Sequence, residues 1–385
     1  LVFGKRENTE HRIQPTAENQ AQSGGSCRVP LLGKTRRQES FADPPGADKS
    51  NKRNHKGAGE VSNVAIDQQV IDQVITDDYS IYHADTVDVA AGIPDNSIGF
   101  SIFSPPFETL YTYSNSDRDM GNSKSSGEFW DHYKFLIREQ FRAMEPGRLV
   151  AIHCMNLPTS KTNHGHIGVR DFRGEIIRAY QDVGFYYHSE VCIWKDPVVA
   201  MQRTKALGLL HKQLKKDSCM SRQGIPDYLV VMRKPGENLK PVEGPLNHFV
   251  GEDVPANFRE VKYDDNRTAY VEANSNATPI DIWQRYASPV WTDIRQTNTL
   301  QFRAARASDD ERHICPLQLD VIERALQLWT MPGDVVWSPF MGIASEGYVS
   351  VQLGRKFIGA ELKASYFDLA CRNMAQASKV QEELF

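Results

Sequence analysis

The chain has 385 residues, of which 40% are hydrophobic and 24% charged, enough for one large α/β domain or two smaller ones around a sizeable core. Its 45 Lys and Arg against 49 Asp and Glu leave a net charge of −4, so the molecule as a whole does not attract nucleic acid and any such surface must be local. No apolar stretch approaches the roughly 18 residues of a membrane span, no signal peptide opens the chain, and Cys27, Cys154, Cys192, Cys219, Cys315 and Cys371 form no Cys-x-x-Cys, which excludes a zinc knuckle or disulfide framework and points to the reducing cytoplasm.

Leu1 in place of an initial Met suits a fragment, a processed chain or an incomplete gene model, and the sequence does not choose among them. Residues 1–63 are polar, with basic clusters at Lys34 to Arg37 and Lys49 to Lys56, and carry too little apolar surface to offset their ordering entropy. They are expected to be a disordered tail or linker. Order is expected from Val64: a strand at Tyr79–His83, a short helix at Val87–Ile93, and a fully apolar strand at Ile98–Phe103 stopped by Ser104-Pro105-Pro106. Apolar residues at steps of three and four predict a helix over Glu128–Met144, ended by Pro146-Gly147, with a strand at Leu149–His153. A helix at Phe172–Val183 stopped by Gly184 follows, then strands at Tyr186–Trp194 and Tyr228–Met232.

Residues 236–305 are polar and loop-rich, and are expected to form an insertion or small subdomain. Regular structure returns with a helix at Leu319–Trp329, a strand at Asp334–Trp337, a helix at Gly347–Leu353, a strand at Lys356–Glu361 and a last helix from Ala364. Strands alternating with helices predict an α/β fold: an open, mostly parallel mixed sheet with helices on both faces, plus the small insertion subdomain.

In such a sheet the loops at the carboxyl ends of the strands bind ligands. One runs from Ser338 through Phe340, Gly342 and Ala344 to Gly347; its small residues admit close backbone approach, and the helix start offers free N–H groups. Glu361 lies about twenty positions beyond, the spacing at which a carboxylate accepts from ribose hydroxyls in nucleotide-binding folds. Tight helix–strand packing is the other account of Gly342 and Ala344. The second loop is Ser104-Pro105-Pro106-Phe107. Its prolines fix the backbone and leave rigid carbonyl acceptors beside the Ser oxygen. Such acceptors suit an exocyclic amine, a weak nucleophile that gains positive charge as it attacks a methyl group, by on the order of a few kcal/mol. Phe107 could stack on a base for roughly 1 to 3 kcal/mol. As four residues alone, the segment is equally a polyproline turn.

Taken together, Asp85, Pro94-Asp95-Asn96-Ser97-Ile98, Ser104-Pro105-Pro106-Phe107, His313, Pro316, Pro339-Phe340-Met341-Gly342, Gly354 to Glu361 and Tyr366 resemble the amino-methylating DNA methyltransferases, over about residues 78–375 outside the insertion. The catalytic loop precedes the cofactor loop, as in their permuted beta class. The resemblance implies a Rossmann-like methyltransferase fold, S-adenosyl-L-methionine as cofactor and double-stranded DNA as substrate, with a restriction endonuclease or another DNA-processing protein as partner. It divides the chain into a catalytic half at 64–235, a target-recognition region at 236–305 and a cofactor-binding half at 306–385. By the same resemblance Ser104, Pro105, Pro106 and Phe107 are catalytic. Ser338, Phe340 and Gly342 line the cofactor pocket, Glu361 holds the ribose, Asp85 lies near the adenine, and His313 and Pro316 close the pocket. Family members usually carry Asp and a second Gly where this chain has Ser338 and Ala344, and Lys where it has Cys315, which bears on cofactor affinity.

Ser at the head of the catalytic loop resembles the cytosine N4 enzymes, and Asp the adenine N6 enzymes. The expected product is therefore N4-methylcytosine, formed on a base flipped out of the duplex. Adenine N6 methylation and an inactive DNA-binding member of the fold are the competing readings. Carbon-5 methylation is excluded by the lack of a Pro-Cys pair. The basic stretch from Lys195 through Arg203, Lys205, Lys212, Lys215 and Lys216 to Arg222 is the expected phosphate contact, with a solvated helix face as the alternative. His164 and His166 are read as water-exposed, with no third metal ligand placed by spacing. His153 and Cys154 are read as packing residues, and Met155 and Asn156 as pocket-border candidates.

Overall fold

The computed structural model describes residues 70–107, 120, 123, 126–204, 211–221, 223–243, 259–263, 269–273, 285–301 and 316–384. The expected tail at 1–63, and with it the start of order at Val64, lies outside the described residues. In chain order the elements are β1 (Asp72–Ile75), β2 (Tyr79–His83), α1 (Thr86–Gly92), β3 (Ile98–Phe103), α2 (Ser126–Ala143), β4 (Met144–Met155), β5 (Leu157–Thr159), α3 (Lys161–His164) and β6 (Gly168–Arg170). They continue with α4 (Phe172–Val183), β7 (Tyr186–Ile193), α5 (Pro197–Thr204), α6 (His211–Lys216), β8 (Asp227–Arg233), β9 (Arg259–Tyr263), β10 (Ala269–Ala273) and β11 (Val290–Trp291). The last are α7 (Leu319–Trp329), β12 (Val335–Ser338), α8 (Ser345–Gln352), β13 (Lys356–Glu361) and α9 (Ala364–Leu384).

Nine strands form one sheet in the order β1-β2-β13-β12-β3-β4-β8-β7-β11. The run from β2 to β4 is parallel, while β1, and β8 against β4 and β7, pair antiparallel. β12 and β13, from late in the sequence, insert between β2 and β3, from early in it, so both ends of the chain build one sheet. Side chains alternate along each strand. Val150, Ile152, Cys154, Val230 and Met232 pack into one cluster with α1, α2 and α4, and Ala151, Leu229, Phe100 and Val336 into another with α7, α8 and α9. This is the expected α/β sheet covered on both faces.

The expected stop at Pro146-Gly147 is corrected. β4 begins at Met144, directly after α2, and contains both residues. The last carbonyls of α2 are capped by the chain entering β3, through Asn96 N to Arg142 O at 3.1 Å and Ser97 N to Ala143 O at 2.8 Å. Ile98 can therefore pair with Met144 at once, and Gly147, at φ 76°, absorbs the extra residues before pairing resumes at Phe100 and Leu149. A glycine permits that left-handed turn without breaking the strand.

The end of the expected insertion also belongs to the main sheet. β11 runs parallel to the edge strand β7, and Trp291 is fully buried in the second cluster. Arg324 lies over the Trp291 ring at 4.8 Å and pairs with Asp293 at 2.9 Å, which ties α7 to this segment. Earlier in the segment β9 and β10 pair as an antiparallel hairpin.

Candidate active site

The strands that carry the expected site residues are neighbours, and their carboxyl ends deliver those residues to one edge of the sheet. Glu361 ends β13, Ser338 ends β12, Ser104 follows β3, and His153 lies near the end of β4. Asp85 follows β2, whose next residue, Ala84, donates its N–H to Glu361 O at 3.1 Å. Asp85 accepts from Val87 N at 2.9 Å and so caps α1. Glu361 Oε1 accepts the N–H of Lys363 at 2.8 Å.

Between β12 and α8 the chain makes a left-handed turn, with Gly342 at φ 55° and Ala344 at φ 63°. A Cβ on Gly342 would meet nothing within 4 Å, so glycine is needed there for its conformation and not for space. Ala344 takes a glycine-like conformation with a side chain in place; its N–H donates to Met341 O at 2.7 Å and its carbonyl accepts from Tyr348 N at 2.9 Å. The close helix–strand contact falls on Gly347, where a Cβ would lie 2.6 Å from the Phe357 ring. Phe340 is half-buried, with its ring centroid 5.8 Å from Phe103 and 6.4 Å from Tyr133.

The polar character of this turn fits a nucleoside-containing cofactor. Ser338 Oγ and Ser345 Oγ are buried and have no hydrogen-bond partner in the protein, an arrangement that a polar ligand would relieve. Burial also pushes the Glu346 carboxyl up to about 8.

In the second loop Pro105 and Pro106 are buried, while Ser104 and Phe107 are half-exposed. Phe107 leans on Phe172 of α4, with centroids 6.1 Å apart. Ser104 Oγ lies 2.8 Å from His153 Nδ1. The other ring nitrogen, Nε2, lies 3.1 Å from Asp227 Oδ2, and Lys195 Nζ reaches the same oxygen at 2.5 Å. Burial alone would raise the Asp227 carboxyl, but the charges of Lys195 and then His153 outweigh it and hold the group below its ordinary value.

Two expectations are corrected here. His153, read as a packing residue, bonds the catalytic Ser, whereas Cys154 beside it is buried in the first cluster. Lys195, read as a phosphate contact, is held by a buried carboxylate. Asp227 went unnoticed in the sequence; its signal was a lone acid at the head of the apolar run Tyr228 to Met232. Asn156 Oδ1 accepts from Arg173 N at 3.0 Å and so holds the start of α4.

Of the remaining candidates, Lys205, Arg222 and His313 lie outside the described residues. Pro316 is half-buried just before α7. Lys212, Lys215 and Lys216 stand exposed on α6, which buries none of its side chains. His166 Nδ1 lies 3.0 Å from His164 O, and among the described residues no group of three or more His, Cys, Asp or Glu could hold a metal ion. Among the same residues no helix is long and apolar enough to cross a membrane.

An open, mostly parallel sheet with a left-handed cofactor turn next to a Ser-Pro-Pro-Phe loop defines a Rossmann-like methyltransferase. More narrowly, the chain belongs to the DNA methylase family, whose model matches residues 98–372, and it is an S-adenosylmethionine-dependent amino-methyltransferase of that family. It is similar to the type II methyltransferase M.BglII of Bacillus subtilis, 22% identical over 292 residues that cover 75% of this chain and 67% of the relative. In fold it is similar to TTHA0409 of Thermus thermophilus complexed with S-adenosyl-L-methionine, with a TM-score of 0.51, 20% identity and coverage of 76% of this chain and 92% of that one. It is also similar in fold to the PvuII DNA methyltransferase (cytosine-N4-specific), with a TM-score of 0.50, 14% identity and coverage of 80% and 93%.

Proposed function

We propose that the chain methylates the exocyclic N4 of cytosine in double-stranded DNA. The observation that carries this reading is Ser104: a hydroxyl, not a carboxylate, heads the catalytic loop, and it is bonded to His153 at 2.8 Å. When bound, S-adenosyl-L-methionine supplies a methyl carbon activated by a sulfonium. Asp85, Ser338, Phe340, Gly342 and Glu361 would hold that cofactor, with His313 and Pro316 closing its pocket. The Ser104 oxygen and the rigid carbonyls of the proline pair accept the N–H groups of the target amine and stabilise the positive charge that develops there. Phe107 stacks on the flipped base.

Lys205, Lys212, Lys215, Lys216 and Arg222 supply the phosphate contacts that hold the duplex while the base is out. Target recognition is assigned to residues 236–305. The test is to incubate the protein with labelled S-adenosyl-L-methionine and unmethylated genomic DNA, and to separate the digested nucleosides. Labelled N4-methylcytosine is expected. Label in N6-methyladenine alone overturns the choice of base, and absence of label in DNA overturns the function.

A further inference from the structure

A serine hydroxyl serves an amine as acceptor only when its hydrogen points elsewhere, and a free hydroxyl rotates to suit either role. In this chain the rotor has a fixed partner. Asp227 is 2% exposed and its Oδ2 faces two donors, His153 Nε2 at 3.1 Å and Lys195 Nζ at 2.5 Å. An ionised carboxylate only accepts, so Nε2 carries a hydrogen. Lys195 already neutralises Asp227, so the resting imidazole has no need of a charge. Nδ1 is then the acceptor, and at 2.8 Å it takes the Ser104 hydrogen. The Oγ lone pairs are left for the substrate.

This network crosses three adjacent strands. Ser104 follows β3, His153 is on β4, and Asp227 opens β8, which pairs antiparallel with β4 so that Asp227 faces Met155 and Leu229 faces His153. Lys195 follows β7, the next strand over. Both the parallel and the antiparallel part of the sheet are therefore needed to assemble it.

We propose that His153, Asp227 and Lys195 are positioning residues that fix Ser104 as a hydrogen-bond acceptor and carry away the proton released by the target amine. The proposal rests on the methyltransferase reading and deepens it. As the amine nitrogen bonds to the methyl carbon, the carbon–sulfur electron pair stays with sulfur and the nitrogen becomes positively charged. One N–H proton passes to Ser104 Oγ while the Ser104 hydrogen passes to His153 Nδ1. The amine ends neutral and methylated, and His153 ends as an imidazolium facing Asp227. After product release the proton returns through Ser104 to water.

The test combines steady-state kinetics of the full chain on labelled S-adenosyl-L-methionine and genomic DNA with nitrogen-15 NMR of its histidine rings. His153→Phe is expected to lower kcat by roughly 100-fold or more, the range of acid–base catalysis, with KM for DNA and the calorimetric Kd for cofactor nearly unchanged. Placed on Ser104→Ala, the same change should cost nothing further, because the relay acts only through that hydroxyl. Lys195→Met should lose turnover that Lys195→Arg retains. In the wild type, the His153 ring should be protonated on Nε2 and bare on Nδ1, and Asp227→Asn should disturb that state even if His153→Phe does not fold. Additive losses in the double variant, cofactor binding that falls in step with kcat, or a protonated Nδ1 in the resting protein would overturn the relay. A wild-type chain that labels no DNA overturns the proposed function instead, and the relay's purpose with it.

Discussion

Glu361 and His83 are direct partners in the parallel register of β13 against β2, which brings the Glu361 carboxyl to the strand end from which Asp85 emerges. Two carboxylates at adjacent strand ends suit the hydroxyls and amino group of a nucleoside. Glu361→Ala is expected to weaken S-adenosyl-L-methionine binding by roughly tenfold or more, the loss of a hydrogen bond to a charged group worth about 1.5 to 3 kcal/mol, while turnover at saturating cofactor is largely kept. Titration calorimetry with the cofactor checks it, and unchanged affinity removes the ribose assignment.

Phe107 divides its ring between Phe172 and solvent. Phe107→Ala should therefore impair turnover on DNA more than cofactor binding, with a loss of about 1 to 3 kcal/mol in base stacking. Equal losses in both would contradict the assignment of this ring to the base.

Ala344 holds φ 63°, where a Cβ is strained and β-branched residues are worse. The left-handed conformation costs a non-glycine residue roughly 1 to 2 kcal/mol, and glycine gives back about 0.5 to 1 kcal/mol through the unfolded chain. Ala344→Gly should thus raise stability slightly and leave cofactor affinity equal or better, whereas Ala344→Val should lower both. Denaturant melts with and without cofactor decide it; a destabilised Ala344→Gly would show that the methyl group packs more than it strains.

Glu346 has an ordinary value near 4.5 that burial raises to about 8. Between those values the folded state holds a proton that the unfolded state has lost, so its contribution to stability is full below about 4.5 and falls away as pH rises towards 8. Glu346→Gln should flatten the stability profile across that window. Asp227 acts with the opposite sign: its lowered value means stability present at neutral pH and lost in acid as the group protonates. Unfolding free energies measured against pH for both variants test the two signs.

Lys212, Lys215 and Lys216 are exposed on α6. Replacing all three by Gln should weaken DNA binding and reduce the salt dependence by roughly 0.9 per phosphate contact removed. Binding isotherms at several salt concentrations provide the measure, and an unaltered slope would leave α6 as a solvated helix.

Local elements and the family were legible in the order of residues alone. Tyr79–His83, Phe172–Val183 before Gly184, Leu319–Trp329 and Lys356–Glu361 were read with the boundaries the structure has, because apolar periodicity and the residues that stop an element act within a few positions. The Ser-Pro-Pro-Phe and Pro-Phe-Met-Gly loops were legible for the same reason. What lies beside those loops came from the folding of distant segments together. Ser104 and His153 are 49 positions apart, and His153 and Asp227 74, and they meet only because β3, β4 and β8 are neighbours in the sheet. The same holds for Lys195, a basic residue among others until Asp227 claimed its charge, and for Trp291, a loop aromatic until β11 paired with β7. Strand order is a long-range property, set by which apolar faces bury best together, and no local pattern in the chain encodes it.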